Sequence, residues 1–166
     1  MGKKIMETAE ALAWPKGTKK SKYSYKHGRA TAAFRKAFNR VAPHHSGWSA
    51  PSRKGASCDV AVMAVMRSSG VCKSYPRGRS EQQRYKPKKC RRIVYKNARP
   101  ADVAKPNDVV IYCRGGGRGH TLIRGKDIKG RFWWAEAAYG KTYFHKYKDA
   151  KKLHRKYRKV IILREK

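Results

Sequence analysis

Ser57-Cys58-Asp59-Val60-Ala61-Val62-Met63-Ala64-Val65-Met66-Arg67-Ser68-Ser69-Gly70 is the stretch whose reading decides the fold. From Val60 to Met66 no residue is polar, so the segment can offer no side comfortably to water and has to be enclosed. Small and polar residues precede it, with Ser57 or Cys58 at the cap position, and Gly70 supplies the left-handed stop. The stretch therefore predicts one buried helix with a cysteine in its first turn. Unpaired backbone N–H groups at a helix start favour thiolate over thiol, by about 0.3–1 kcal/mol at an exposed site. That field alone cannot make a strong nucleophile, and a histidine partner is required. Asp59 opposes the effect if it faces the sulfur. Taken by itself, Cys58 reads equally as a small buried apolar residue or as a nucleophile.

The 166 residues fit one domain with a real core, and 40% hydrophobic content argues for a folded chain. Charge is the anomaly: 43 Lys and Arg against 10 Asp and Glu give a formal +33. Such an excess calls for an anionic partner, whether nucleic acid, an anionic cell wall or a membrane surface. The four cysteines, Cys58, Cys72, Cys90 and Cys113, form no C-x-x-C pair and have no histidine at metal-ligand spacing, so no zinc site, other metal or cofactor is called for. They are expected to be free thiols. Glu7 and Glu10 interrupt the first fourteen residues, which read as neither a signal peptide nor a membrane span.

Upstream of the buried helix, residues 5–14 have a loose helical period that Pro15 ends. Residues 16–29 read as a basic loop whose Tyr23 and Tyr25 either line a binding groove or pack on the core. Residues 30–41 form an amphipathic helix with Ala33, Phe34, Ala37, Phe38 and Val41 on one face. The 43–48 segment is loop, and its adjacent His44 and His45 read as solvated. Downstream, residues 67–89 are turn-rich with a short helical possibility at 80–85, and 93–95 are either a brief strand or a helical connection.

From Val109 the texture changes. Val109-Val110-Ile111-Tyr112-Cys113 is a buried strand, 115–119 a glycine turn, His120-Thr121-Leu122-Ile123 the returning strand, 125–130 a second turn and 132–137 a third strand. A short strand at 143–145, a basic helix at 149–157 and a last strand at 160–163 complete an α+β pattern of helices followed by an antiparallel meander.

Three features converge in this layout. Cys58 begins a buried helix, His120 begins a strand just after a hairpin turn, and Glu136 lies inside the next strand among Trp133, Trp134, Ala135 and Ala137. An unpaired carboxylate would be costly in that company, and His120 is its natural partner. Nucleophile, base and orienting group are the parts that acyl transfer needs.

At these residues the chain resembles the papain-like cysteine hydrolases of the NlpC and CHAP type. The resemblance rests on Cys58-Asp59-Val60, on Pro106-Asn107-Asp108-Val109, on Gly119-His120-Thr121-Leu122-Ile123 and on Trp134-Ala135-Glu136-Ala137, in that order, and covers the chain from about Trp48 onward. Asn107-Asp108 stands where the family usually has Gly-Asp, and Asp59 where a small polar residue is commoner. The resemblance implies a papain-like α+β fold in which a buried helix carrying the nucleophile packs on an antiparallel sheet. Residues 48–166 would be the core and 1–47 a basic helical N-terminal extension of a single catalytic domain. It implies hydrolysis of amide bonds in cell-wall peptides, as in an endolysin, with Cys58 as nucleophile, His120 as base and Glu136 orienting it. Tyr23, Tyr25, Ser57 and Gly119 are the candidate substrate contacts.

On this reading Cys72, Cys90 and Cys113 are structural, and His27, His44, His45, His145 and His154 are surface groups. The basic surface holds a monomeric enzyme on an anionic wall polymer, reached after release by a separate route. The rival reading is a highly basic nucleic-acid-binding protein without catalytic activity, for which +33 with interleaved aromatics is a natural signature. A catalytically dead or host-directed member of the same fold is the third.

Overall fold

A computed structural model describes residues 3–42, 57–115 and 118–166. The 43–48 loop with His44 and His45, the approach to the buried helix at 54–56, and Gly116 and Gly117 of the hairpin turn lie outside the described residues.

Among the described residues four helices come first: α1 (Lys4–Leu12), α2 (Lys20–Tyr23), α3 (Ala32–Val41) and α4 (Cys58–Ser68). α3 starts where Thr31 accepts the Phe34 N–H on its side-chain oxygen at 3.0 Å, and α4 ends before Gly70 at φ +75°. Every residue from Val60 to Met66 is fully buried, as the unbroken apolar run requires. α4 is enclosed by α1 and α3 on one side and by the sheet on the other. Ile5 and Ala9 of α1 and Phe34 and Phe38 of α3 belong to the same apolar cluster as α4, so the N-terminal segment shares the interior of the domain.

The sheet is built from β1 (Cys90–Ala98), β2 (Val109–Gly115), β3 (Arg118–Lys126), β4 (Phe132–Ala138), β5 (Thr142–Tyr147) and β6 (Tyr157–Glu165). It is antiparallel throughout, in the order β1-β6-β2-β3-β4-β5, so the meander β2 to β5 holds and the last strand inserts between β1 and β2. With α5 (Arg79–Arg84) and α6 (Pro100–Val103) this is an α+β architecture. Val109 and Ile111 face the α4 side; Val110 and Tyr112 face a second cluster with Leu122, Trp134, Leu153 and Ile162. Cover on both faces explains the continuous rather than alternating apolar run in β2.

Asn107, in the turn that enters β2, has φ +78°, a left-handed conformation that glycine and asparagine tolerate best. Its Oδ1 accepts the Met6 N–H of the first turn of α1 at 2.8 Å, and its Nδ2 donates to Glu165 at 2.9 Å. The neighbouring Asp108, 1% exposed, takes the Arg164 guanidinium on both oxygens at 3.0 and 2.8 Å. The pair therefore ties the first helix, the first meander strand and the last strand together.

Of the two alternatives for residues 93–95 the strand holds, as the middle of the nine-residue β1, which pairs with one neighbour only among the described residues and so carries Arg91, Arg92 and Lys96 without an alternating pattern. Three expectations are corrected. Residues 16–29 are not loop throughout, since Lys20–Tyr23 form the short helix α2. Residues 149–157 are not a helix: one 3₁₀ turn (Lys151–His154) leads into β6, and the Tyr157 hydroxyl donates to the Lys152 carbonyl at 2.6 Å. His145 is not a surface group but is buried, directly opposite Glu136 across the β4–β5 pair and stacked on Tyr23. Its basic neighbours in sequence gave it a solvated appearance. Among the described residues no helix is long and apolar enough to cross a membrane.

Candidate active site

The ladder between β3 and β4 has four pairs, from Lys126–Phe132 to Ile123–Ala135, and no further one among the described residues. Glu136 is the first residue past its end, and His120 lies in the same splayed part of β3. The N-terminus of α4 reaches this opening. Cys58 is close enough to the His120 ring to favour its charged form, and His120 Nε2 is bonded to Glu136 Oε2. The structure thus brings Cys58, His120 and Glu136 into one chain of contacts.

Burial would lower the His120 pKa, but the hydrogen bonds to Cys58 and Glu136 and the charge of the carboxylate outweigh it and push the imidazole up to about 9. Burial would raise Glu136, 5% exposed, yet its bonds and charge contacts with His120 and Lys152 hold it well below the usual carboxylate range. An imidazolium and a carboxylate stabilise one another here, and the imidazolium is the form that pairs with a thiolate.

Lys152 is the residue that sequence reasoning missed. Its Nζ donates to Glu136 Oε1, so both carboxylate oxygens are engaged, and it lies 5.1 Å from the centre of the Tyr147 ring. The apolar company of Glu136 signalled that it needed partners; nothing local distinguished Lys152 from its neighbours Lys148 and Lys151.

Asp59 does not carry a loose charge beside the sulfur. Its Oδ1 accepts the Ser57 hydroxyl and the Val60 N–H, and Gln82 Nε2 donates to its backbone carbonyl at 2.9 Å. Ser57 is thereby 4% exposed with its hydroxyl turned to Asp59, which makes it part of the helix start rather than of a substrate surface. Gly119 faces Cys113 in β2, and its carbonyl accepts from Arg79 at 3.1 Å; a Cβ there would sit 2.8 Å from the Tyr112 carbonyl. The two tyrosines part company. Tyr25 packs on the core against Tyr143, and Tyr23 lines a groove with its ring stacked on His145, centroids 4.0 Å apart.

The remaining described thiols differ in setting. All four cysteines are free, and burial pushes the Cys90 thiol up to about 11 and Cys113 upward as well. No group of three or more His, Cys, Asp or Glu side chains among the described residues is arranged to hold a metal ion. Comparison of the chain with models of known families, with curated proteins and with solved structures finds no match.

Proposed function

We propose that the protein is a cysteine-dependent hydrolase of amide bonds, a papain-like peptidase or amidase acting on cell-wall peptides. One observation carries this reading: the His120 ring is held by Glu136 through Nε2 and is raised in pKa by Cys58, a thiol at the N-terminus of a buried helix. Cys58 sulfur attacks the amide carbonyl, and the oxyanion is stabilised in part by the Cys58 backbone N–H at the helix start. His120 gives its proton to the leaving nitrogen as the C–N bond breaks, which leaves a thioester on Cys58 and a free amine. Water then loses a proton to the now neutral His120 and adds to the thioester, releasing a carboxylic acid and the Cys58 thiolate, which restores the starting thiolate and imidazolium. Glu136 keeps the imidazole oriented through both steps and stabilises it whenever it holds the proton, and Lys152 keeps Glu136 in place.

The charge of +33 supports anchoring on an anionic wall polymer, with retention that weakens as salt rises. It equally favours a second reading, a nucleic-acid-binding protein that does not use the triad. Purified sacculi from several sources, treated with nuclease, separate the two: the hydrolase is retained on them and releases new amino groups, whereas a nucleic-acid binder does neither.

A further inference from the structure

A groove of about 830 Å³ opens on the β5 side of Glu136. One wall is α2 with the residues that follow it; the other is the β4–β5 hairpin and β5, with Lys152 at the end nearest the triad. The groove carries four lysines, Lys20, Lys26, Lys141 and Lys152, and its one carboxylate is Glu136, whose two oxygens are already taken by His120 and Lys152. Lys20, Lys26 and Lys141 are exposed and form no ion pair among the described residues. Like charges gathered round one concavity repel each other, and an anion placed among them gains from all of them at once.

The walls narrow the kind of anion. Tyr23, His145 and Tyr147 present rings, with His145 stacked on Tyr23 at a centroid distance of 4.0 Å and tilted against Tyr147 at 5.6 Å. Arginine, whose planar fork matches phosphate bidentately, is missing from the lining among the described residues. Ammonium groups on flexible stems in a groove that also presents rings suit a short peptide whose aliphatic parts lie on the rings and whose carboxylates reach the amines.

We propose that this groove is the subsite for an acidic peptide chain, with side-chain or terminal carboxylates received by Lys20, Lys26 and Lys141 beside the triad. The proposal rests on the hydrolase reading for its orientation toward Cys58. It makes the substrate class a peptide carrying carboxylates next to the scissile amide.

The test is binding, so that it is independent of turnover. Fluorescein-labelled hexaglutamate is titrated by anisotropy at fixed salt against Cys58→Ala, against the same protein with Lys20→Gln, Lys26→Gln and Lys141→Gln, and against a control with Arg91→Gln, Lys96→Gln and Arg158→Gln. The control residues are exposed on β1 and β6 and remove the same charge. The expected result is at least a tenfold loss of affinity in the groove variant and less than twofold in the control. Equal losses in both would overturn the proposal, since net charge alone would then explain binding. A labelled hexathymidylate bound more tightly than hexaglutamate, with the same tenfold loss in the groove variant, would also overturn it, by making the occupant a nucleic acid. If the groove result holds while wild-type protein cleaves no wall peptide, the subsite stands and the hydrolase reading fails; if cleavage is found and both triple variants bind alike, the reverse holds.

Discussion

Lys152 donates to Glu136 on Oε1, the carboxylate oxygen that His120 does not use. A residue from the turn before the last strand thereby completes the carboxylate's set of partners. The consequence is electrostatic: two cationic partners hold one buried carboxylate in its charged form.

The first prediction follows for acid stability. Glu136 has a folded pKa below its ordinary value of about 4.3, so its contribution to stability is present above that value and is lost as pH falls through the folded one. Lys152→Met removes one of the two cations, the folded pKa rises, and acid unfolding should begin at higher pH than in the wild type. Circular dichroism during acid titration reads this directly. Unchanged acid midpoints would mean that Lys152 does not support Glu136.

His120 provides the opposite sign. Its folded pKa of about 9 lies above the ordinary imidazole value of about 6.5, so the stability it contributes is complete below 6.5 and is lost as pH rises through the folded value. NMR titration of the His120 ring should give a high value in the wild type that drops on Cys58→Ala and again on Glu136→Gln. An ordinary value in the wild type would contradict the contact chain. In turnover, Glu136→Gln should lower kcat by about 10²–10⁴-fold, since the imidazole loses the charge that orients it.

Thiol labelling separates the cysteines. Burial holds Cys90 and Cys113 as protonated thiols, whereas Cys58 lies beside a protonated imidazole. Iodoacetamide at neutral pH, followed by peptide mapping, should modify Cys58 first. Faster labelling of Cys72 or Cys113 would remove Cys58 from the role of nucleophile.

The turn before β2 can be tested by stability. Asn107→Ala removes the acceptor for the Met6 N–H and the donor to Glu165, and leaves a Cβ-bearing residue at φ +78° that has no side-chain bond to offset the strain. The expected cost is about 1–3 kcal/mol by chemical denaturation, from an unsatisfied buried donor and a left-handed backbone. Asn107→Gly should cost less, because glycine adopts that backbone freely.

Much of this was legible in the chain because the signals were local. A seven-residue run without a polar atom has one physical outcome, and the burial of Val60 to Met66 is that outcome. The pairing of His120 with Glu136 followed from the cost of a carboxylate set among tryptophans and from one short turn between two strands. The rest was not local. β1 is held by a strand that is distant in sequence, from Ala98 opposite Tyr157 to Cys90 opposite Glu165, so charged residues could occupy it without a period. Lys152 reaches Glu136 across a turn that looks like any basic stretch, and His145 is buried because Tyr23, from a segment read as loop, lies flat against it. In a chain with 43 basic residues, the few that do specific work are distinguished only by what they face.

The central claim is that Cys58 carries an acyl group during turnover. Wild-type protein digesting purified sacculi is quenched in acid and its cysteine peptides are mapped by mass, with Cys58→Ala as the parallel sample. The account predicts a wall-peptide acyl adduct on Cys58 in the wild type, and the loss of both the adduct and the release of new amines in the variant. Amine release that continues in Cys58→Ala, or an adduct on Cys72 or Cys113 instead, would contradict it.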